Sequence, residues 1–235
     1  MAHATSNRHS FIKVAAFPIA AAVVSILACS DPVVPPPKAG VASTIGPGPM
    51  APSIGCGINR QVVMADTGSA ITGCNDNLGC MGDPDNGPSV ENNSGSNFVD
   101  CSVTQSGNNF AVSALMKVGS GADAGSITLS GTFVPLDKKK PAPQEADVPG
   151  TVRAVFVRAD TGGFTSTDCT AWYTNDRVSP QTSTTLNGNM GVAAGRFWAT
   201  VICPTAKFND PTSSAHQACQ GVATIKLENC NQGGG

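Results

Sequence analysis

Charged, aromatic and histidine residues are scarce in this sequence, and their scarcity excludes several classes of site. Only 13% of the 235 residues are charged and 5% are aromatic, and of three histidines only His216 lies outside the first nine residues. No Cys-x-x-Cys pair and no Gly-x-Ser-x-Gly segment occurs, so the usual signatures of a zinc site and of a serine hydrolase are missing. The basic run at 138–140 is three lysines long, and with a net charge of −2 the chain is predicted to have no nucleic-acid partner.

The apolar run near the N-terminus is too short to cross a membrane. It spans residues 14–28, fifteen residues without a charge, whereas a transmembrane helix needs roughly 20. Arg8 and Lys13 precede it, and the small residue Ala28 ends it. A basic start, a short apolar core and small residues at a cleavage point are the layout of an export signal. Residues 1–28 are therefore predicted to be a signal peptide.

The residues around Cys29 form a second processing signal. The segment "ILAC" at 26–29 resembles the lipobox of bacterial lipoproteins, in which an aliphatic and a small residue precede an invariant cysteine. The resemblance implies that Cys29 is acylated and that Ser30 directs the protein to the outer membrane. Because each buried methylene contributes about 0.8 kcal/mol, two or three acyl chains hold a protein stably at a bilayer. The expected partner is a membrane and the expected location is the cell envelope.

A proline-rich segment follows the cysteine. Residues 31–53 contain seven of the 17 prolines and almost no charge. This composition favours an extended chain of up to about 3.1 Å per residue and indicates a linker that holds a domain away from the membrane. The sequence is therefore divided into a signal peptide (1–28), a lipidated N-terminus with a linker (29–53) and one domain (54–235). The domain is long enough to bury one core.

The domain shows the pattern of β-strands and no convincing helical periodicity. The clearest alternation of apolar and polar residues is at 109–118, 126–134 and 221–229. Runs that are apolar on both faces, as in central strands, are 151–159 and 195–203. Shorter candidate strands are 58–64, 97–105 and 167–174. Together they predict an all-β fold, a disulfide-stapled β-sandwich or jelly roll of about eight strands.

Eight cysteines follow Cys29, and an even number in an exported chain indicates disulfide bonds. They are Cys56, Cys74, Cys80, Cys101, Cys169, Cys203, Cys219 and Cys230. Their pairing stays open, except that Cys219 and Cys230 should not pair with each other. If the residues between these two form a strand, their Cα atoms lie roughly 36 Å apart, whereas a disulfide needs them within about 7 Å.

Two Asp-Thr-Gly segments raise an enzymatic alternative. "VVMADTGSA" (62–70) and "VRADTGGF" (157–164) resemble the catalytic loops of pepsin-like and retroviral-type aspartic peptidases. The resemblance implies that Asp66 and Asp160 share one proton and activate a water. The second copy departs from that family, because Gly163 replaces the hydroxyl residue that would bond to the carboxylate. Strands also commonly end in Asp and Gly at a turn, so two turns are favoured and the peptidase is the alternative.

Aromatic pairs and polar loops are the other candidates for a binding site. Trp172 and Tyr173 form one pair, and Phe197 and Trp198 form the second. In a strand one member of each pair points inward, and Trp172, Tyr173 and Trp198 are the candidates for contact with a sugar or a protein. The polar segments 75–97 and 178–195 are expected to be surface loops that carry binding residues.

The acidic segment "DPDNG" at 83–87 is a weak metal candidate. Asp83 and Asp85 offer oxygen ligands of the kind that calcium prefers, but the order of ligands is not that of an EF-hand loop. No metal or other cofactor is therefore expected. The sequence predicts a membrane-anchored envelope or surface lipoprotein that is a non-enzymatic binding or structural module, with a protein or a glycan as its ligand.

Overall fold

The computed structural model describes residues 35–48, 56–64, 90–93, 95–174, 176–184, 190–210 and 218–233. The predicted signal peptide and Cys29 lie outside these residues. Within them the chain forms eleven β-strands and two short 3-10 helices, Gly121–Asp123 and Pro180–Thr182, but no α-helix. The predicted all-β class is confirmed.

The strands are β1 (Lys38–Gly46), β2 (Arg60–Met64), β3 (Val90–Glu91), β4 (Phe98–Ser106), β5 (Asn109–Val118), β6 (Gly125–Phe133), β7 (Val152–Arg158), β8 (Gly162–Trp172), β9 (Gly191–Ala193), β10 (Arg196–Phe208) and β11 (Cys219–Glu228). Each of the eight strands predicted from the sequence overlaps one of these. The strands that the sequence did not predict are β1, β3 and β9.

Nine of the strands form one antiparallel sheet in the order β2-β1-β11-β10-β8-β7-β6-β5-β4. The short strands β3 and β9 pair with β1 and β10. From β4 to β8 the order follows the chain, so these strands form a meander of hairpins. β1 is an exception to this local order, because the first strand lies beside the last, β11.

One face of the curled sheet forms the core. On β5, Phe110, Val112, Ala114 and Met116 are buried, whereas the residues between them are exposed or half-buried. The inward residues predicted for β11 are buried as well: Ala223, Ile225 and Leu227. Burying such an aliphatic side chain contributes about 1.5–3 kcal/mol. The predicted inward faces of these two strands are confirmed.

Two glycines show how closely the sheet approaches itself where it curls. A Cβ on Gly125, at the start of β6, would lie 1.7 Å from the carbonyl oxygen of Val62 in β2. A Cβ on Gly221 in β11 would lie 2.4 Å from the ring of Phe156 in β7. Because neither position has room for a side chain, larger residues there would force the two layers apart. The curl thus packs β2 and β11 over β6 and β7, as in a two-layer structure.

The predicted linker is wrong over part of its length. β1 lies inside the segment 31–53, yet it is a central strand with β11 on one side and β2 on the other. Its sequence, KAGVASTIG, consists mainly of small residues that are buried on both faces. It therefore lacks the alternation and the large side chains by which a strand is recognised. The compact domain therefore includes β1 and begins before residue 54.

Three disulfides are present within the described residues: Cys56–Cys219, Cys101–Cys230 and Cys169–Cys203. The prediction of disulfides is confirmed for these six cysteines, and Cys219 and Cys230 do not pair with each other. Cys74 and Cys80 lie outside the described residues. Each bridge has one cysteine on β10 or next to an end of β11, and the other on β4, on β8 or before β2. The bridges therefore fasten the other strands to the β10–β11 pair.

Because neighbouring strands are antiparallel, the two ends of the sheet carry different connections. At one end of the sheet lie the first residues of β1 and β10 and the last residues of β6, β8 and β11. We call it the entry end, because the chain enters β1 there. The turns from β5 to β6 and from β7 to β8 lie at the opposite, far end. β3, within the predicted loop 75–97, pairs with the start of β1, and the predicted loop 178–195 leads into β10. Both predicted binding loops thus reach the entry end.

Candidate functional site

The outward face of β8 and β10 brings the two tryptophans together. Trp172 is the last residue of β8 and lies opposite Thr200 of β10, which is two residues beyond Trp198. Residues in this relation are diagonal neighbours on one face, about 7–8 Å apart. Both tryptophans are half-buried. The sequence placed them in separate aromatic pairs, and only the strand register shows that they share a surface.

Two cations lie against the ring of Trp198. The guanidinium carbon of Arg196 is 4.1 Å from the ring centroid, and the Nζ atom of Lys226 is 4.5 Å from it. Arg196 precedes Trp198 by two residues on β10, and Lys226 lies opposite Trp198 on β11. Contacts of this kind are worth about 0.5–1 kcal/mol at exposed sites and more when they are desolvated. We call the surface formed by Trp172, Arg196, Trp198 and Lys226 the tryptophan face.

Gly40 explains why a lysine can be buried in this face. It lies opposite Lys226 on β1, and a Cβ on it would contact the Cβ and Cδ atoms of Lys226 at 3.6 Å. The alkyl stem of Lys226 therefore extends over the bare backbone of Gly40 while its ammonium group reaches the Trp198 ring. The side chain is 7% exposed as a result. The sequence pattern placed Lys226 outward, as observed, but gave no sign of its burial.

The indole nitrogens of Trp172 and Trp198 are buried and have no hydrogen-bond acceptor among the described residues. Indole is a donor only, and a buried indole N–H usually has a partner. The Thr200 and Thr224 hydroxyl groups of the same face bond to the backbone and to each other, and neither is a hydrogen-bond partner of an indole nitrogen. Thr200 donates to the carbonyl oxygen of Thr174 at 2.5 Å, so in its 2.9 Å contact with Thr224 the proton must come from Thr224. The tryptophan face therefore holds two N–H donors beneath its surface, which an acceptor from outside reaches only if the side chains that cover them shift.

The connection from β8 to β9 covers one side of this face. It leaves the sheet after Trp172, places Thr174 over Thr200 and returns as β9 alongside the start of β10. Pro180 within it is buried, and burial lowers the pKa of Arg177 to about 10. The described part of this connection thus covers Thr200 beside Trp172.

Tyr173 does not belong to this surface, contrary to the sequence-based expectation. It is 1% exposed, and its hydroxyl group donates to the carbonyl oxygen of Val134. Phe197 is also fully buried, with its ring centroid 4.4 Å from that of Phe133. Alternation along the strand explains both positions, because each residue is the neighbour of an outward tryptophan. One member of each aromatic pair points inward, as expected.

Asp160 forms part of the tight turn between β7 and β8. Its Oδ1 atom accepts hydrogen bonds from Thr161 Oγ1 at 2.8 Å and from Arg158 Nε at 2.7 Å. The bond from Thr161, and then the contact with Arg158, hold the pKa of this exposed carboxyl below its usual value. Gly162 supplies the positive φ of +94° that the turn needs. Asp66 lies outside the described residues, so of the two carboxyl groups in the peptidase alternative only Asp160 can be assessed from the structure. An ion-paired, readily ionised carboxyl does not favour a shared proton.

Asp147 is a buried carboxyl group that no sequence motif marked. It is 4% exposed, its Oδ1 atom accepts the N–H of Ala171 at 2.7 Å, and its Oδ2 atom has no partner among the described residues. Burial raises the pKa of Asp147, and burial together with the charge of Asp147 raises the pKa of Tyr173. The turn at 148–151 takes the backbone out of line with β8, so the Asp147 side chain supplies the acceptor that a strand would have given. This accounts for Asp147 as a structural group.

The other predicted ligands and sites are not brought together by the described residues. Asp83, Asp85 and His216 lie outside them. No cluster of three or more His, Cys, Asp or Glu side chains suited to a metal ion occurs in the part of the chain that the structure describes. Nor does that part contain a helix of sufficient length and apolarity to span a bilayer. No family model, no curated protein and no solved structure matches this chain.

Proposed function

We propose that this protein is a non-enzymatic binding module of the cell envelope, attached to a membrane through an acylated Cys29, and that the tryptophan face is its binding surface. The export part of the proposal is supported by the three disulfides, because such bonds persist in oxidising compartments outside the cytosol. The layout of residues 1–29 supports the anchor.

The pair of indole N–H groups without acceptors is the observation that carries the binding part. They lie beneath the surface of a rigid sheet together with Arg196 and Lys226, so a ligand that displaces the covering side chains would meet donors and positive charge at fixed positions. A ligand rich in oxygen acceptors, such as a glycan or a peptide backbone, fits this chemistry. The cations against the Trp198 ring limit stacking of a flat group there, so hydrogen bonding rather than stacking is the expected contact.

The binding surface is tested by removing the indole nitrogens while keeping the aromatic bulk. Trp172→Phe/Trp198→Phe should lose the glycan or protein ligand that the unaltered chain binds on an array, with at least a tenfold loss of affinity. Phe98→Leu is the matched control, because Phe98 is an exposed aromatic residue of β4 outside this face. Equal binding by the double variant and the unaltered chain would remove the tryptophan face from the proposal.

The anchor is tested independently of any ligand. Cells that express the protein should incorporate labelled palmitate into it, and Cys29→Ser should abolish the label and release the protein from the membrane fraction. Cys29 is the appropriate target because the other eight cysteines lie in the domain, six of them in disulfides. Full membrane retention of the Cys29→Ser protein would contradict lipid anchoring.

A further inference from the structure

The connection from β6 to β7 presents three lysines at the entry end of the sheet. We call residues 135–145 the lysine loop; Lys138, Lys139 and Lys140 are exposed in it. The side chain of Gln144 holds the loop, because its Nε2 atom donates to the carbonyl oxygens of Asp137 and Lys140, both at 2.8 Å. Its Oε1 atom accepts the N–H of Asp137 at 3.1 Å. Three hydrogen bonds from the Gln144 side chain therefore fix the backbone on which the lysines lie.

The charge of the loop tip is only partly compensated. Lys138 and Lys139 take part in no ion pair within the described residues, whereas Lys140 Nζ lies 4.0 Å from Asp137 Oδ2. Glu145 is the other acidic residue of the loop, and it lies opposite Trp172 rather than at the tip. The tip is thus a compact positive group on a chain whose net charge is −2.

The chain from the predicted anchor reaches the same end of the sheet. The carbonyl oxygen of Pro36 accepts a hydrogen bond from Asn229 Nδ2 at 3.2 Å, and that of Pro37 accepts one from the N–H of Asn92 at 3.0 Å. The chain is therefore attached to the domain from Pro36 onward. The six residues 30–35 separate that point from Cys29, so the Cα atoms of Cys29 and Pro36 lie at most about 25 Å apart even when this segment is fully extended.

We propose that the lysine loop is a second membrane contact, which binds the phosphate groups of anionic lipids and turns the entry end toward the bilayer. This rests on the lipid anchor proposed above, which would keep the loop within a short distance of the headgroups. Lysines near an anionic surface contribute about fivefold each to binding, and a lipid chain combined with basic residues is a stable form of attachment. The far end would then face away from the membrane.

Lysine footprinting of the acylated protein tests the orientation directly. The protein is bound to vesicles of phosphatidylglycerol or of phosphatidylcholine, the accessible lysines are acetylated, and the modified positions are read by mass spectrometry. We expect Lys138, Lys139 and Lys140 to be protected at least threefold on phosphatidylglycerol and less on phosphatidylcholine, with Lys117 and Lys207 at the far end unprotected. No protection at 138–140, or equal protection on both lipids, would overturn the proposal.

Two triple variants with the same net charge separate location from overall charge. In the non-acylated Cys29→Ser chain, changing Lys138, Lys139 and Lys140 to Gln should lower sedimentation with phosphatidylglycerol vesicles by about tenfold or more at low salt. The matched control changes Arg60, Lys117 and Lys207, which are exposed at the far end, to Gln. Equal loss in both variants, or no vesicle binding by the Cys29→Ser chain itself, would overturn the lysine-loop contact. Failure of the anchor would instead appear as absent palmitate labelling, so the two failures are distinguishable.

Discussion

The outer face of the sheet differs between β5–β6 and β10–β11, although both regions bury the same kind of inner face. On β5 and β6 the outward residues, such as Ser113, Thr128 and Ser130, are exposed. On β10 and β11 the outward Thr200 and Thr224 are completely buried. A polar residue on an exposed face is satisfied by water, whereas one on a covered face needs a fixed partner. The β10–β11 region is therefore held by specific polar contacts as well as by its core.

Removing the disulfide that joins the two regions should have the largest effect on this arrangement. Cys101 lies on β4, beside β5, and Cys230 follows β11, so the change of both to Ala removes the covalent link between the two regions and leaves the backbone hydrogen bonds of Cys101 and Val103 to Asn231. We expect a loss of about 2–5 kcal/mol in the free energy of unfolding, because the unfolded chain gains a loop of some 130 residues. Urea unfolding measures it.

The corresponding control is the disulfide between β8 and β10. Changing Cys169 and Cys203 to Ala opens a much shorter loop, of some 34 residues, between two strands that are already paired in the sheet. The loss of stability should be smaller than for the Cys101 and Cys230 pair. If the two double variants unfold at the same urea concentration, the long bridge does not have the joining role assigned to it.

The same substitution on the two outer faces should give different results. Thr200→Val leaves the carbonyl oxygen of Thr174 and the hydroxyl group of Thr224 without a buried partner, at a cost of about 1–3 kcal/mol. Thr128→Val on the exposed face should stay within about 0.5 kcal/mol of the unaltered protein. Thermal or urea unfolding compares them, and equal costs would show that the outer face of β10 is not specifically held.

Asp147, which is buried before β7, and Asp160, which is exposed after β7, should respond to pH with opposite sign. The pKa of Asp147 is raised in the folded state, so its contribution is present below about pH 4 and is lost as the pH rises through the folded pKa. The pKa of Asp160 is lowered, so its contribution is present above its ordinary value and is lost as the pH falls.

Asn substitution at each position measures this difference. Asp147→Asn keeps an oxygen for the N–H of Ala171 and should become more stable, relative to the unaltered protein, as the pH rises from 4 to 7. Asp160→Asn should lose relative stability as the pH rises toward about 4 and stay level above it, with only a slight change because the group is exposed. Parallel slopes in urea unfolding across pH would show that burial does not distinguish the two carboxyls.

The smallest expected effect concerns the two cation–π contacts. Arg196→Gln removes a contact at 4.1 Å on the half-buried Trp198 and should cost about 0.5–1 kcal/mol. Lys117→Gln removes a contact at 5.8 Å on the exposed Phe98 of β4 and should cost less than about 0.5 kcal/mol. Indole fluorescence should also change in the Arg196 variant. If both substitutions leave the free energy of unfolding unchanged, the contact of Arg196 with Trp198 is no stronger than one at an exposed site, and the tryptophan face does not shield this cation from water.

Whether a strand is exposed on one face or buried on both faces decides how well it could be predicted from the sequence. Alternation identified β5, β6 and the inward residues of β11, because one face of each pattern is apolar and the other polar. β1 was not predicted, because it is buried on both faces and its small side chains show no alternation of apolar and polar residues. The prolines before it, which do indicate an extended chain, were assigned to a longer linker than the structure has.

The candidate site depended on information that a single sequence does not contain. Trp172 and Trp198 are neighbours only because β8 pairs with β10 in one particular register. This pairing makes β8 and β10 adjacent in the sheet, although the β8–β9 connection and β9 lie between them in the sequence. The partners of the cysteines likewise follow from the order of the strands. Asp147 has no motif around it, and its role depends on a break in a strand that no local pattern announces. The sequence therefore identified candidate side chains, but it did not predict which distant strands and cysteines pair with each other.

The pairing of the first strand with the last has a consequence for the biogenesis of the protein. Synthesis begins at the N-terminus and delivers β1 long before β11, yet Lys38 pairs with Glu228 and Gly46 with Gln220. Cys56 and Cys101 also depend on cysteines that follow or begin the last strand. The sheet therefore cannot be completed until the whole domain has been synthesised. Until then β1 can pair with β2 and β3 alone, and its edge toward β11 stays open to other strands.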